Sequence, residues 1–280
     1  MGRVAWQKQD LKSYVYIDDF NAVEKLNIRN AKSHITTRIR ELSVHSSEIE
    51  RLFKDVSSLA DSVGMRVNSA KTQMLCIHPY NHEIIHTYFR TDGIEVKSAE
   101  SLKILGFHFD RRPDATHHVS IAVDKFYSKL WSLRFLKRSG MGTDDLMKVF
   151  KTIIRPSVEY ASAVYHPLIP EYMSQKLEKV QKHAMKIIYG WDMDYQELLD
   201  QGKMETLKDR RIERVRNFAL KAEKSEKFGS KWFKKKISDQ EVRQTTRRKY
   251  IEPRYKNERL KNNPVTHLTQ VLNKIHQETS

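Results

Sequence analysis

The chain has 280 residues, 51 Lys and Arg against 35 Asp and Glu, a net charge of +16 and an isoelectric point near 9.7. This length suits one large domain or two small ones, and so basic a balance favours a polyanionic partner, with nucleic acid ahead of an anionic membrane surface. A single cysteine, Cys76, excludes an internal disulfide framework, and no run approaches the roughly 18 apolar residues of a membrane span. We therefore expect a soluble, intracellular protein, cytoplasmic or nuclear.

Two adjacent acids near the start, Asp18 and Asp19, directly follow an aromatic and β-branched run from Tyr14 to Ile17. That run is typical of a strand, Asp-Asp favours a turn, and Phe20 to Val23 is a second extended run, so the sequence predicts a β-hairpin. Asp in such a turn is common, because its side chain accepts backbone hydrogen bonds. A pair of like charges is nevertheless stabilised best by a divalent cation, and Mg²⁺ takes one or two carboxylates together with phosphate oxygens.

A helix follows this hairpin. From Glu48, apolar residues recur on one helix face, Ser47 and Glu50 are placed as a capping box, and Gly64 stands where a glycine ends a helix. After it, Thr72 to His78 is predicted as a strand, and Gly93 to Asp110 as a further pair of extended segments.

Beyond Asp110 the apolar period becomes helical. Three stripes predict the core of a bundle of three to five helices, with breaks at Gly140–Gly142, Pro156, Pro167–Pro170 and Gly190. The stripes are Val123, Phe126, Leu130 and Leu133; Leu146, Val149, Phe150, Ile153 and Ile154; and Met173, Leu177, Val180, Ala184 and Ile187.

The last segment, residues 226–280, is basic, with 14 Lys and Arg against 6 Asp and Glu. Its apolar periodicity is weak except for a short helix between Val265 and Ile275, so we expect a mobile basic tail. The basic clusters fit either a solvated charge run or an arm that binds nucleic acid.

Several segments in collinear order resemble non-LTR retrotransposon reverse transcriptases of the jockey type. Tyr16-Ile17-Asp18-Asp19 resembles the Tyr-x-Asp-Asp hairpin of that family. "GMRVNSAKTQML" and "LKILGFHFD" resemble the palm segments that follow, whereas "VFKTIIRPSVEYASAVYHP" and "LEKVQKHAMKIIYG" resemble the helical thumb region. The resemblance covers roughly Ser13 to Lys224. It implies an RNA-directed DNA polymerase whose partners are an RNA template, a DNA primer and deoxynucleoside triphosphates.

The resemblance also implies roles for individual residues. Asp18 and Asp19 match the catalytic pair that binds Mg²⁺ or Mn²⁺, and Tyr16 would lie beneath the nascent base pair. Lys71 matches a basic residue near the triphosphate, where it could neutralise the leaving pyrophosphate; the alternative is a surface lysine after a turn capped by Asn68.

Three further residues match nucleic-acid-binding positions. Leu105 and Gly106 match the primer-grip turn, with a plain β-turn as the alternative. Arg155 either faces a phosphate or simply ends its helix, where a cation favours the dipole.

The resemblance does not extend to two regions of the family's polymerase. Only 17 residues precede Asp18, which leaves no room for the strand that carries the family's third carboxylate or for the fingers region. Two neighbouring carboxylates alone would hold the two metal ions of nucleotidyl transfer weakly. The expectation is therefore a truncated reverse transcriptase, inactive alone and with a weakly bound metal.

Two alternatives remain open beside the enzyme fragment. One is a non-catalytic nucleic-acid-binding protein made of the thumb and the basic tail, and the other is an unselected reading frame from a truncated element. The expected fold is α+β: a partial antiparallel palm sheet with one packed helix over residues 1–110, an all-α thumb bundle over 111–225 and the tail over 226–280.

Overall fold

A computed structural model describes residues 11–16, 19–24, 39–43, 48–68, 70–77, 84–91, 94–111, 114–235, 249–252 and 263–278. The chain divides into two compact units. The first comprises Met1–Ile104 with Asp110–Arg112, and the second comprises Leu105–Phe109 with Pro113–Ser280. The first holds most of the strands and the second is almost entirely helical, so the predicted α+β class is confirmed.

The predicted hairpin opens the first unit. Strands β1 (Leu11–Tyr16) and β2 (Asp19–Glu24) pair antiparallel with Tyr16 opposite Asp19. This register leaves two residues, Ile17 and Asp18, between the strands, which is the commonest length for a hairpin connection. The prediction of a hairpin is confirmed, except that Asp19 belongs to the second strand rather than to the turn. Ile17 and Asp18 themselves lie outside the described residues.

A mixed three-stranded sheet accompanies the first helix. The strands β3 (Ile39–Ser43), β4 (Ile84–Thr91) and β5 (Ile94–Lys97) lie in that order; β3 and β4 are parallel, whereas β4 and β5 are antiparallel. The helix α1 (Glu48–Ser62) connects the parallel pair, as a crossover requires. The expectation of an antiparallel sheet thus holds for the β1–β2 and β4–β5 pairs but not for β3 and β4, which are parallel. The amino-acid pattern of the sequence does not predict the β3–β4 pairing.

Helix α1 is confirmed, including its predicted end. Gly64 has a φ of 73°, and the amide of Met65 donates to the carbonyl of Ala60 while the amide of Gly64 donates to that of Asp61. These two bonds form a Schellman motif, which needs a residue in the left-handed region that glycine enters without strain. Ser47 of the predicted capping box lies outside the described residues.

The strand predicted from Thr72 to His78 is wrong over its described residues. Apart from one bridge between Met74 and Ser98, residues 72–77 form no strand. Asn68 organises the preceding chain instead: the amides of Lys71 and Thr72 and the hydroxyl of Thr72 donate to its oxygens. This local turn chemistry outweighs the β propensity of the segment.

The predicted pair of extended segments before Asp110 is three strands, β5, β6 (Ser101–Ile104) and β7 (Phe107–Asp110). Leu105 and Gly106, between β6 and β7, have φ values of 48° and 83°. Positive φ at both central residues is what a type I′ hairpin turn requires.

Three long helices dominate the second unit: α2 (Thr116–Arg138), α6 (Glu171–Tyr189) and α8 (Leu207–Lys224). Among the described residues of this unit, α2 packs against α6 and also contacts a π-helical turn at Phe150–Ile154. The buried side chains of these three elements belong to one core. The shorter helices are α3 (Thr143–Val149), α4 (Pro156–Glu159), α5 (Ser162–Tyr165) and α7 (Tyr195–Gly202). None of the described helices is long and apolar enough to cross a membrane.

The predicted apolar stripes are the core, with one exception. Every member of the stripes on α2 and α6 is buried, as are Leu146, Phe150 and Ile154 of the middle stripe. Ile153, in contrast, is 57% exposed. The π-helical turn explains this difference: the amide of Arg155 donates to the carbonyl of Phe150, five residues back, so the inserted residue rotates Ile153 out of the stripe.

The described part of residues 226–280 differs from the expected mobile tail. Helix α10 (Pro264–Glu278) contains the predicted short helix and packs on α8, while α9 (Gly229–Trp232) follows α8 directly. Together they bury a second core, which comprises Val215, Ala219, Ala222, Phe233, Tyr250, Leu268, Leu272 and Ile275. Apolar residues that are scattered in sequence meet here, which is why periodicity alone did not reveal them.

Candidate nucleic-acid interface

The residues predicted for metal binding and catalysis lie in the first unit. Tyr16 ends β1 and Asp19 opens β2 opposite it, while Asp18 lies outside the described residues. Lys71 is exposed, and its amide donates to the side-chain oxygen of Asn68 over 3.2 Å. Lys71 is thus an exposed lysine in a turn capped by Asn68, as the alternative to a role near the triphosphate predicts. Within the described part of the chain, no group of three or more His, Cys, Asp or Glu side chains is arranged to hold a metal ion.

The hairpin turn at Leu105 and Gly106 contacts a tyrosine of the second unit's helical region. Leu105 is exposed, and its carbonyl accepts a hydrogen bond from the hydroxyl of Tyr160. A Cβ atom on Gly106 would lie 3.4 Å from the Tyr160 ring. Gly106 thus serves both the positive φ of the turn and the close approach of this ring, and the turn presents the Leu105 side chain to solvent.

Arg155 lies in a cluster of arginines around one buried carboxylate. Glu159 is 4% exposed, and its oxygens lie 2.5 Å from Nε of Arg210, 2.8 Å from Nη2 of Arg214 and 3.5 Å from Nε of Arg155. One negative charge thus faces three guanidinium groups, and Arg214 is about half-exposed. The cluster keeps a surplus of positive charge, although Arg155 itself is largely buried as a partner of Glu159.

A face of α2 and α6 combines exposed aromatic rings with cations, and we call it the aromatic–cation surface. Tyr127, Trp131 and Phe135 follow one another at intervals of four along α2, so they share one side of the helix. They are 42%, 68% and 54% exposed, and Trp191, just after α6, is 59% exposed. The surface comprises Tyr127, Trp131, Arg134, Phe135, His183, Lys186 and Trp191. A contiguous exposed apolar patch of this kind is characteristic of an interaction site.

The rings of this surface are ordered by contacts with one another. Trp131 and Phe135 stack with their centroids 5.5 Å apart and their planes 15° from parallel. The ring of His183 is nearly perpendicular to the rings of Tyr127 and Trp191, at centroid distances of 5.8 Å and 5.4 Å. Interacting rings are held in fixed orientations, which lowers the entropy that a ligand must remove when it binds.

Two cations are part of the same arrangement. The guanidinium of Arg134 donates to Nε2 of His183 over 2.9 Å, and burial together with this nearby charge lowers the pKa of His183, so that its ring is neutral and able to accept. The ammonium of Lys186 donates to the carbonyl of Trp191 and lies 5.5 Å from the centroid of its indole. Positive charge is therefore placed beside the exposed rings.

The two helices that carry the surface are joined at their ends. Nζ of Lys137 donates to the carbonyls of Ile187 and Ile188 over 2.6 and 3.0 Å. These are carbonyls of the last turn of α6, which lack partners within the helix. Lys137 thus fixes α2 relative to α6. The further basic residues of these helices are Lys125, Lys129, Arg138, Lys176, Lys179 and Lys182, against Asp124, Glu171 and Glu178.

Sequence reasoning missed this surface. Its signal is the spacing of Tyr127, Trp131 and Phe135, which repeats every four residues on the side of α2 next to the stripe of Val123, Phe126, Leu130 and Leu133. Because the apolar stripe already accounts for the side of α2 that faces the core, an additional aromatic row predicts a second contact surface on this helix. The roles of His183 and Trp191 could not be found in this way, because their contacts with α2 are long-range.

Comparisons with known proteins yield no match to a family model, to a curated protein or to a solved structure.

Proposed function

We propose that this protein binds nucleic acid, and that it derives from the palm and thumb portion of a non-LTR retrotransposon reverse transcriptase. The observation that carries the proposal is the aromatic–cation surface, where ordered, exposed rings lie beside Arg134 and Lys186. Rings that stack on bases and cations that neutralise phosphates are the two parts of nucleic-acid interfaces without sequence preference. The net charge of +16 supports the same partner.

The experiment measures affinity for a labelled template–primer duplex as a function of salt. Because phosphate contacts release counterions, the logarithm of the association constant should fall linearly with the logarithm of salt concentration. Six to ten contacts would cost roughly 10³- to 10⁵-fold in affinity between 50 and 200 mM salt. Replacing Arg134 and Lys186 together by Gln should make the slope shallower by about 1–2, since each phosphate contact contributes roughly 0.9.

A matched control removes two charges elsewhere in the second unit. Lys148 and Lys208 are exposed and already lie within 2.8 Å of Asp145 and 3.4 Å of Glu171, respectively. The pair Lys148→Gln and Lys208→Gln should leave the slope nearly unchanged. If both double variants reduce the slope equally, binding depends on net charge alone and the interface is elsewhere.

A second candidate function, nucleotidyl transfer, is favoured by the β1–β2 hairpin, whose second strand begins at Asp19 opposite Tyr16, together with the adjacent acids Asp18 and Asp19 of the sequence. Two adjacent carboxylates should bind Mn²⁺ weakly without further ligands, with an affinity poorer than about 10 μM, because Mg²⁺ and Mn²⁺ need several oxygen ligands. Signal broadening by Mn²⁺ in NMR spectra, with Asp18→Asn as control, measures this. Primer extension that disappears in Asp18→Asn would make the chain a working polymerase.

A further inference from the structure

We infer that the aromatic–cation surface takes single-stranded nucleic acid, whose unpaired bases stack on the Trp131–Phe135 pair while Arg134 and Lys186 contact the adjoining phosphates. The inference rests on the proposed function and specifies the ligand of that surface. Its first support is exposure: Trp131 and Phe135 stack on each other, yet both leave more than half of their surface to solvent. Rings committed to a protein core would be covered, so these are free to receive another planar group.

The distribution of charge around the rings selects an anionic ligand. Arg134 lies between Trp131 and Phe135 in sequence and donates to His183, and Lys186 lies over Trp191. The only acid of α2 is Asp124, one turn before the first ring of the row. An apolar protein partner would have to cover these cations without opposite charges, whereas a nucleic-acid strand supplies one phosphate per nucleotide beside each base.

The dimensions fit a short stretch of single strand. Residues spaced by four rise about 6 Å along a helix, so the row from Tyr127 to Phe135 extends about 12 Å. At a rise of roughly 3.4 Å per nucleotide, three to four nucleotides cover that distance. In a duplex the base faces are covered by neighbouring base pairs, so the rings would find a partner only at its ends. Stacking therefore favours the single strand, whereas phosphate contacts are available to both forms.

The test compares labelled oligothymidylate and oligouridylate with a blunt duplex of the same length, by fluorescence anisotropy on the full chain. Trp131→Ala should weaken binding of both single strands by roughly 5- to 150-fold, the range that base stacking on one aromatic side chain provides. Affinity for the duplex should stay within about two-fold, and the salt slope should not change, because no charge is removed. The relative affinities of the unmodified chain for oligothymidylate and oligouridylate show whether the surface prefers DNA or RNA.

Two control variants keep the result interpretable. Trp131→Phe retains a ring and should retain most of the single-strand affinity. Tyr172→Ala removes a ring that is 63% exposed on α6 but outside the surface, and it should change neither affinity. Because Trp131 is exposed, the helical circular dichroism and the melting temperature should be the same in all variants.

Three outcomes would overturn the inference: an equal loss of single-strand and duplex binding in Trp131→Ala, no loss in either, or a dimer of the free protein that dissociates in this variant. The last would assign the surface to a second copy of the chain. If no nucleic acid binds at all, the proposed function fails as well. If the duplex binds with the expected salt slope and single strands show no dependence on Trp131, only this inference fails.

Discussion

At the scale of single residues, the second unit contains two almost fully buried charged side chains, Glu159 and Arg211. Glu159 is enclosed by Arg155, Arg210 and Arg214, and Arg211 is 1% exposed. One amino group of Arg211 donates to Oγ of Ser174 over 2.6 Å, but its Nε and Nη1 have no hydrogen-bond partner among the described residues. Burying a charged group without enough hydrogen-bond partners costs free energy, so the stability of the protein depends on the groups that surround Glu159 and Arg211.

The carboxylate of Glu159 should be essential for stability. In Glu159→Gln the three guanidinium groups lose their shared counter-charge while two of them remain largely buried. We expect the free energy of unfolding to fall by about 3 kcal/mol, the lower end of the range for breaking a buried ion pair, because Arg214 is half-exposed. Urea denaturation measures this. Glu205→Gln, which removes an exposed carboxylate 4.0 Å from Arg210, is the control and should cost less than about 0.5 kcal/mol.

At the scale of elements, α6 joins the main core to the shorter helices. It begins after Pro170, whose backbone is extended, and ends at Gly190, whose φ is 132°. Met173, Leu177, Val180, Ala184 and Ile187 are buried against α2 and its neighbours. The stability of the second unit should therefore depend on this stripe more than on any exposed residue of α6.

Leu177→Ala tests the stripe. Leu177 is fully buried, so its truncation should lower the free energy of unfolding by roughly 2–5 kcal/mol, the loss of transfer free energy plus the cavity. Thermal melting followed by circular dichroism at the helical band measures the change. Lys179→Ala, an exposed substitution two residues along, should leave the melting transition in place. A Leu177→Ala protein that melts like the parent would show that the stripe is not core.

The elements that could be predicted from sequence are those specified by local signals. α1 ends at Gly64, and the stripes of α2 and α6 repeat with the period of a helix, since periodicity and caps act within a few residues. The parallel pairing of β3 with β4 depends on contacts across more than forty residues, and no local pattern specifies it. The π-helical turn likewise has no signal in the middle stripe, so the helical period alone predicts Ile153 in the core, whereas it is exposed.

The candidate site divides in the same way. Tyr16 and Asp19 stand opposite each other as the predicted hairpin requires, because a two-residue connection fixes the register. The aromatic–cation surface needs His183 and Trp191 to meet Tyr127, and these contacts arise only when α6 packs on α2. Residue patterns could propose the row on α2, but not the residues that complete it.

At the scale of the whole molecule, the C-terminal part of the second unit is held to α8 by specific polar contacts as well as by its core. The side chain of Asn273 on α10 both accepts from the amide of Tyr250, over 2.9 Å, and donates to its carbonyl, over 3.1 Å. Glu223 on α8 accepts hydrogen bonds from Lys249 and from the hydroxyl of Tyr250, and its Oε1 lies 2.9 Å from Nε2 of His276. Two segments that are distant in sequence, residues 249–250 and α10, thus meet at one carboxylate of α8.

Glu223 should make this packing sensitive to acid. Burial alone would raise the pKa of its carboxyl, but the hydrogen bonds from Tyr250, Lys249 and His276 outweigh that effect and lower the pKa from 4.5 to about 2. A depressed pKa in the folded state contributes stability that is fully present above about pH 4.5 and is lost as the pH falls toward 2. The protection factors of the amides of α10, which compare their exchange with that of an unfolded chain at the same pH, should therefore fall across this window. In Glu223→Gln, whose side chain does not titrate, the protection factors should already be smaller at neutral pH and should depend less on pH between 4.5 and 2. Identical pH profiles of the protection factors in the two proteins would contradict the role of Glu223.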